Sequence, residues 1–275
     1  MKILYFGLIP LLAVSCGGTD NVSTVSNEKN NSKFLADSSK QRLLKIIEGG
    51  WVNEEYLNIL VQLNSPMKAL AFGFPRQQMA FDISNLKGDT LVNPKVGIYS
   101  NDGDRFDLVF YKKQDGNVGM KVKDDSHQAY GWFLDYSFEK NDTVLILTMS
   151  DGWKSWKNRF NRQFRKFPES DNVAYSPREY CVNKNLFAGD WKQNGQTISF
   201  SADGRIDNFE NFKRYSVSTF EENAVSSPDK ISFYNDSADV TYGFTIVQER
   251  LRLYEIKISD TKYSRGKMIA EMSRK

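Results

Sequence analysis

Two stretches of this chain repeat one another, and that repetition limits the fold more than any other feature. "YGWFLDYSFEKNDTVLILTMSD" at 130–151 and "YGFTIVQERLRLYEIKISD" at 242–260 align at both ends, the second being three residues shorter in its hairpin. From Asp151 to Arg165-Lys166 is 14 positions, and from Asp260 to Arg274-Lys275 is also 14. Upstream, Gly49-Gly50-Trp51 in "IIEGGW" matches Gly189-Asp190-Trp191 in "LFAGDW". A chain with internal self-similarity is built from copies of one supersecondary unit, so each half has to bury a core of its own.

The unit reads as β-structure. "DTVLILT" and "QERLRLYEIK" carry β-branched and aromatic residues in partial alternation, and "SADGR", "QDGN" and "EKND" supply hairpin turns between such runs. Pairs two residues apart, Ile198/Phe200, Ile231/Phe233 and Leu251/Leu253, fall on one face of a strand. Aromatic residues make up 13% of the chain, which suits pleated surfaces.

The basic segment "DGWKSWKNRFNRQFRKF" at 151–167 matches the C-terminus "YSRGKMIAEMSRK" and reads as the closing strand of the first copy. Trp153, Trp156, Phe160 and Phe167 also fall at helical spacing, which leaves a helix open there. Its alternation raises a further choice. The row Arg159, Asn161, Gln163 and Arg165 aligns with Met268, Ala270, Met272 and Arg274. Either the register slips by one and puts Phe160 and Phe164 inside, or the first interior has a polar wall that would bind an anion. The six cations of this segment exceed the whole chain's formal charge of +3, so the remainder is net acidic. One basic stripe in an otherwise acidic chain argues against a nucleic-acid partner, which needs positive charge over a whole face.

The N-terminus carries an address. Lys2 precedes "ILYFGLIPLLAVS", an apolar run of 13 residues, too short to span a bilayer and of the length of a signal-peptide core. The run closes in "LLAVSCGG", which resembles the lipobox of bacterial lipoproteins. That resemblance implies a signal peptide over 1–15, acylation of Cys16, and, since Gly17 and Gly18 stand where an inner-membrane retention Asp would be, anchoring at the outer membrane. Residues 16–37 are polar and rich in Asn and Ser, the composition of a flexible tether. With Cys16 taken by lipid, Cys181 has no disulfide partner and thiolate metal clusters are excluded.

A Gly-x-Trp opening, a series of short alternating strands and a last strand bearing Arg resembles the lipocalin and fatty-acid-binding (calycin) superfamily. The resemblance implies two antiparallel β-barrels, at 38–168 and 183–275, each with its Trp plugging one end. It pairs Arg165 with Trp51 and Arg274 with Trp191. A short helix is expected near 39–48. The first copy also carries "NEEYLNILVQLNSPMKA", where Asn53 caps a helix, Glu54 and Glu55 suit its positive end, and Pro66 stops it. A helix in that place is similar to the portal lid of fatty-acid-binding proteins, which makes the first barrel the expected ligand binder. Trp51, Tyr56, Leu60, Phe110 and Trp132 are its wall candidates, and Arg159 or Arg162 would meet an acidic head group. The simpler alternative is a helix that plugs a packed barrel.

Motifs for chemistry are sparse. His127 is the only histidine, and no Gly-x-Ser-x-Gly elbow accompanies it. "SNDGDRFD" at 100–107 alternates oxygen ligands but lacks the glycine and terminal glutamate of a calcium loop. The expectation is a non-enzymatic protein without cofactor or metal. It would touch the membrane through lipid and take a small apolar or amphiphilic ligand. The competing expectation is a surface module for protein or glycan, contacting its partner through Trp153 and Trp156 beside Lys154 and Lys157. Oligomeric state has no signature in the sequence.

Overall fold

The computed structural model describes residues 37–73, 78–91, 107–114, 117–123, 131–139, 142–150, 154–165, 176–219, 227–259 and 262–275. The chain is mainly β, with one closed antiparallel barrel of eight strands and one curled, open sheet.

The first unit begins with helix α1 (Asp37–Ile47), strand β1 (Gly49–Asn53), and helices α2 (Glu54–Leu63) and α3 (Pro66–Leu70). Short strands β2 (Gln78–Phe81), β3 (Leu86–Lys87) and β4 (Thr90–Leu91) follow. The wall is then built by β5 (Asp107–Lys112), β6 (Val118–Lys123), β7 (Gly131–Glu139), β8 (Asp142–Ser150) and β9 (Ser155–Phe164). Its order is β2-β1-β9-β8-β7-β6-β5-β4-β3, so the last long strand folds back beside the first while β2 and β3 remain the ends.

The second unit repeats the plan and closes. Helix α4 (Pro177–Val182) runs into a wider turn, Asn183–Phe187, and then into β10 (Gly189–Gln193). Strands β11 (Gln196–Phe200), β12 (Arg205–Phe209), β13 (Phe212–Val217), β14 (Lys230–Tyr234), β15 (Asp239–Val247), β16 (Arg250–Ser259) and β17 (Lys262–Arg274) follow in sequence order, and β17 pairs back to β10. The basic segment is a strand: β9 pairs with β8 from Val144↔Asn161 to Ser150↔Ser155 and with β1 on its other side.

Ladder rows define the concave face of the first sheet. Phe110, Met120, Leu134, Leu147 and Asn158 stand opposite one another across five strands. One step along, Leu108, Val122, Trp132, Met149 and Trp156 form a second row. Helix α1 lies against this face, and Leu43, Leu44 and Ile47 join its buried cluster with Trp51, Phe110, Met120, Leu134 and Phe160. At its start Lys40 pairs with Asp89 at 2.7 Å and donates to the Gly88 carbonyl, tying the helix to the β3–β4 side.

Helix α2 forms where the sequence expects it. The Asn53 side chain accepts from the Glu55 and Tyr56 amides at 2.9 and 3.2 Å. Its apolar stripe, however, turns outward from the first sheet. Tyr56, Leu60, Met67 and Leu70 belong to one cluster with Cys181, Val182, Phe187 and the barrel interior. The Met67 amide donates to the Asp229 carboxylate at 2.9 Å, which fixes α3 to the second unit. α2 and α3 thus weld the two units, where the resemblance had implied a lid. An amphipathic stripe states that a helix needs an apolar partner, not which of two it will take.

Candidate functional site

The same lock secures both units. In the first, the Trp51 indole donates to the Ile47 carbonyl at 2.7 Å. The Arg162 guanidinium lies 4.4 Å from the Trp51 ring centre and donates to the Ile46 carbonyl. In the second, Trp191 donates to Phe187 at 2.7 Å, and Arg274 lies 4.8 Å from the Trp191 ring and donates to Leu186 at 3.0 Å. The acceptors are four and five residues before each tryptophan, at the open C-terminal end of the preceding helix, where carbonyls lack intrahelical partners. Each arginine therefore does two things at once, stacking on an indole and satisfying a helix end. Burial holds the Arg162 guanidinium below its usual pKa, and the neighbouring Arg165 charge adds to that.

Arg274 sits where the resemblance implied, and Arg162 takes the place expected of Arg165, which is exposed. The equal spacing of 14 misled because β17 spans 13 residues and β9 spans 10. Alignment runs from the lock outward: Trp51 is opposite Arg162, and Trp191 is opposite Arg274. The register question resolves the same way. Phe160 is buried inside, while Phe164 is half-buried and packs edge-on to Tyr180 at 5.4 Å.

The interiors differ in how they are filled. The closed barrel holds a continuous aromatic packing, with Phe209–Phe233 at 4.7 Å and Phe187–Phe244 and Phe200–Tyr215 both at 5.1 Å between ring centres. In the first unit a cleft of about 350 Å³ lies between α1 and the β5–β6–β7 wall. Leu43, Val118, Met120 and Leu134 supply its apolar side; Arg42, Lys113, Asp135 and Tyr136 supply its polar side. Lys113 and Asp135 pair at 2.9 Å across it.

The wall candidates are spread over different places. Trp51 is buried at the locked end, and Phe110 lies under α1 with Lys40 6.0 Å from its ring. Trp132 is partly buried in the row that ends at Trp156, itself 46% exposed. Tyr56 and Leu60 stand in the other unit's cluster. Arg159 is bound between Glu54 and Glu139 at 2.7 and 2.6 Å, which raises its pKa further, and Arg162 is held in the lock. Neither arginine lines the cleft; Arg42 and Lys113 do. Cys16, His127, Trp153 and residues 100–106 lie outside the described residues.

Cys181 is buried against the helices that join the units, and burial pushes its thiol up to about 12, so it behaves as a small apolar residue. Among the described residues no group of three or more His, Cys, Asp or Glu side chains is arranged to hold a metal ion. No helix among them is long and apolar enough to cross a membrane. Comparison with protein-family models found no match, and neither did comparison with curated proteins or with solved structures.

Proposed function

We propose that the chain is an exported, lipid-anchored envelope protein that binds a small apolar or amphiphilic ligand in its first unit and catalyses no reaction. In this reading residues 1–15 are a cleaved lipoprotein signal, Cys16 carries the lipid at the outer membrane, 16–37 is a tether, and both units are lipocalin-like. The observation that carries the ligand reading is the cleft of about 350 Å³ beside α1, at the lower end of the range for small-molecule sites. Leu43, Met120 and Leu134 are almost fully buried beneath it, and Arg42, Lys113, Asp135 and Tyr136 supply most of its open surface, so the cleft suits the polar end of an amphiphile. The aromatic filling of the closed barrel makes the second unit a structural partner.

Native mass spectrometry of the chain beginning at Gly17, exported behind a cleavable secretory signal and recovered from the cell envelope, tests this. A co-purifying small molecule that is lost on Val118→Trp is the expected result. A bare mass, before and after incubation with an envelope lipid extract, contradicts it. The anchor is tested separately by labelling with a fatty acid, which Cys16→Ser should abolish.

A second reading rests on Trp156, which is 46% exposed with Lys154 and Lys157 exposed beside it. Such a patch suits a protein or glycan contact, since a rigid ring supplies contact area at low entropy cost. Under that reading Trp156→Ala abolishes partner capture and leaves small-molecule occupancy unchanged.

A further inference from the structure

The cleft opens where two neighbouring strands part. β6 and β7 pair from Val122↔Trp132 to Met120↔Leu134, whereas β7 runs on beside β8 to Glu139↔Asp142. Asn117 and Val118 stand on one side of the split and Asp135 and Tyr136 on the other, and Ser39 and Arg42 of α1 complete the lining.

An aromatic shelf leads away from this opening. Leu134, Tyr136 and Phe138 share one face of β7, since side chains alternate along a strand. Their exposure climbs from 1% through 37% to 63%. The Tyr136 and Phe138 rings meet edge to face at 5.5 Å between centres, so the apolar surface that starts at the cleft wall continues beyond it and is uncovered there.

Charge restricts what can fill the cleft itself. Its lining carries two cations, Arg42 and Lys113, and one acid, Asp135. Asp135 Oδ1 already holds the Lys113 ammonium at 2.9 Å, which leaves the exposed Arg42 guanidinium as the cation without an ion pair among the described lining residues. The cleft is therefore set for one negative charge. A bare carboxylate or phosphate filling it would also lie against Asp135, and covering a carboxylate without giving it a donor is costly. A head group with hydroxyls beside its negative charge avoids that cost. It can donate to Asp135 while accepting from Arg42 and from the Ser39 hydroxyl. An acidic sugar has that combination, and an alkyl chain attached to it would cover the shelf.

We propose that the cleft takes the head of an acidic glycolipid, with the sugar carboxylate on Arg42, the hydroxyls on Asp135, and the alkyl chain along Tyr136 and Phe138. The inference rests on the ligand reading above, and it adds the chemical class of the ligand and the way its chain leaves the cleft.

The test is calorimetric titration of the chain beginning at Gly17 with four probes below their micelle concentrations. These are octyl glucuronide, octyl glucoside, which lacks the acid, octanoate, which lacks the sugar, and glucuronate, which lacks the chain. Octyl glucuronide should bind, and each of the other three should be weaker by about tenfold or more. Arg42→Gln should reduce octyl glucuronide to the level of octyl glucoside. Phe138→Ser should weaken octyl glucuronide and leave glucuronate unchanged. Both positions are exposed, so circular dichroism should show the fold unchanged. Equal binding of the three octyl probes, all blocked by Val118→Trp, would overturn this inference and leave the ligand reading standing. Glucuronate binding as tightly as octyl glucuronide would also overturn it, because the site would then serve a free acidic sugar. So would binding of none of the probes, and the co-purifying mass would then decide the ligand reading by itself.

Discussion

Arg162 stacks 4.4 Å from the Trp51 ring and at the same time caps the helix that precedes it, through the Ile46 carbonyl. Removing its guanidinium loses the stacking and strands that carbonyl. Arg162→Ala should cost roughly 1–3 kcal/mol in urea unfolding, a sum of one cation–π contact and one unsatisfied, partly buried acceptor. Arg162→Lys should recover only part of it, because an ammonium cannot stack flat and reach the carbonyl together.

Gly49 and Gly189 open the two units with the same positive φ, +111° and +122°, but with different neighbours. A β-carbon on Gly49 would stand 2.1 Å from the Phe164 carbonyl oxygen, while one on Gly189 meets nothing within 4 Å. Gly189→Ala should therefore carry backbone strain alone, about 1–2 kcal/mol, and leave β10 in place. Gly49→Ala should cost more and separate β1 from β9, visible as faster amide exchange along that ladder.

Glu179 gives the fold a pH dependence. Burial raises its carboxyl to about 7, against the opposing pull of Arg178 and of a hydrogen bond from the Val217 backbone. The ordinary value in an unfolded chain is about 4.3, so between the two the folded state holds more protons and stability falls as pH rises. The contribution is fully present below pH ~4.3 and gone above pH ~7. The partly exposed flank of the side chain limits it to roughly 1–2 kcal/mol. Glu179→Gln should flatten this part of the profile and stabilise the protein at pH 8, as read by thermal unfolding.

Arg159 offers the opposite case. Its two carboxylate partners, Glu54 and Glu139, are both within 2.7 Å, yet the side chain is 41% exposed. Solvent and salt screen such pairs, so Arg159→Ala should change stability by no more than about 1 kcal/mol, and the difference should shrink in high salt.

Much of this fold is legible in the sequence, and its failures have identifiable causes. The paired Gly-x-Trp motifs, the β7–β8 and β15–β16 hairpins and the Asn53 cap all rest on local signals, and each appears in place. The partner of Trp51 is not legible by counting from Asp151, because equal counts assume hairpins of equal length and the ladder places Trp51 opposite Arg162 but Trp191 opposite Arg274. Helix α4 has a local start signal in the sequence, Ser176 as its cap and Pro177 at its first turn. The cleft had no such signal. Arg42, Lys113 and Leu134 come from three separated segments, and their meeting is set by how α1 crosses the sheet.

The central claim is that two copies of one unit are each sealed by an indole under a guanidinium, and indole hydrogen exchange tests it most directly. The Trp51 and Trp191 indole protons, buried and bonded to Ile47 and Phe187, should exchange far more slowly than that of exposed Trp156. Arg162→Ala should speed Trp51 alone and leave Trp191 protected. Exchange of the Trp51 indole as fast as that of Trp156 in the parent protein would contradict the account.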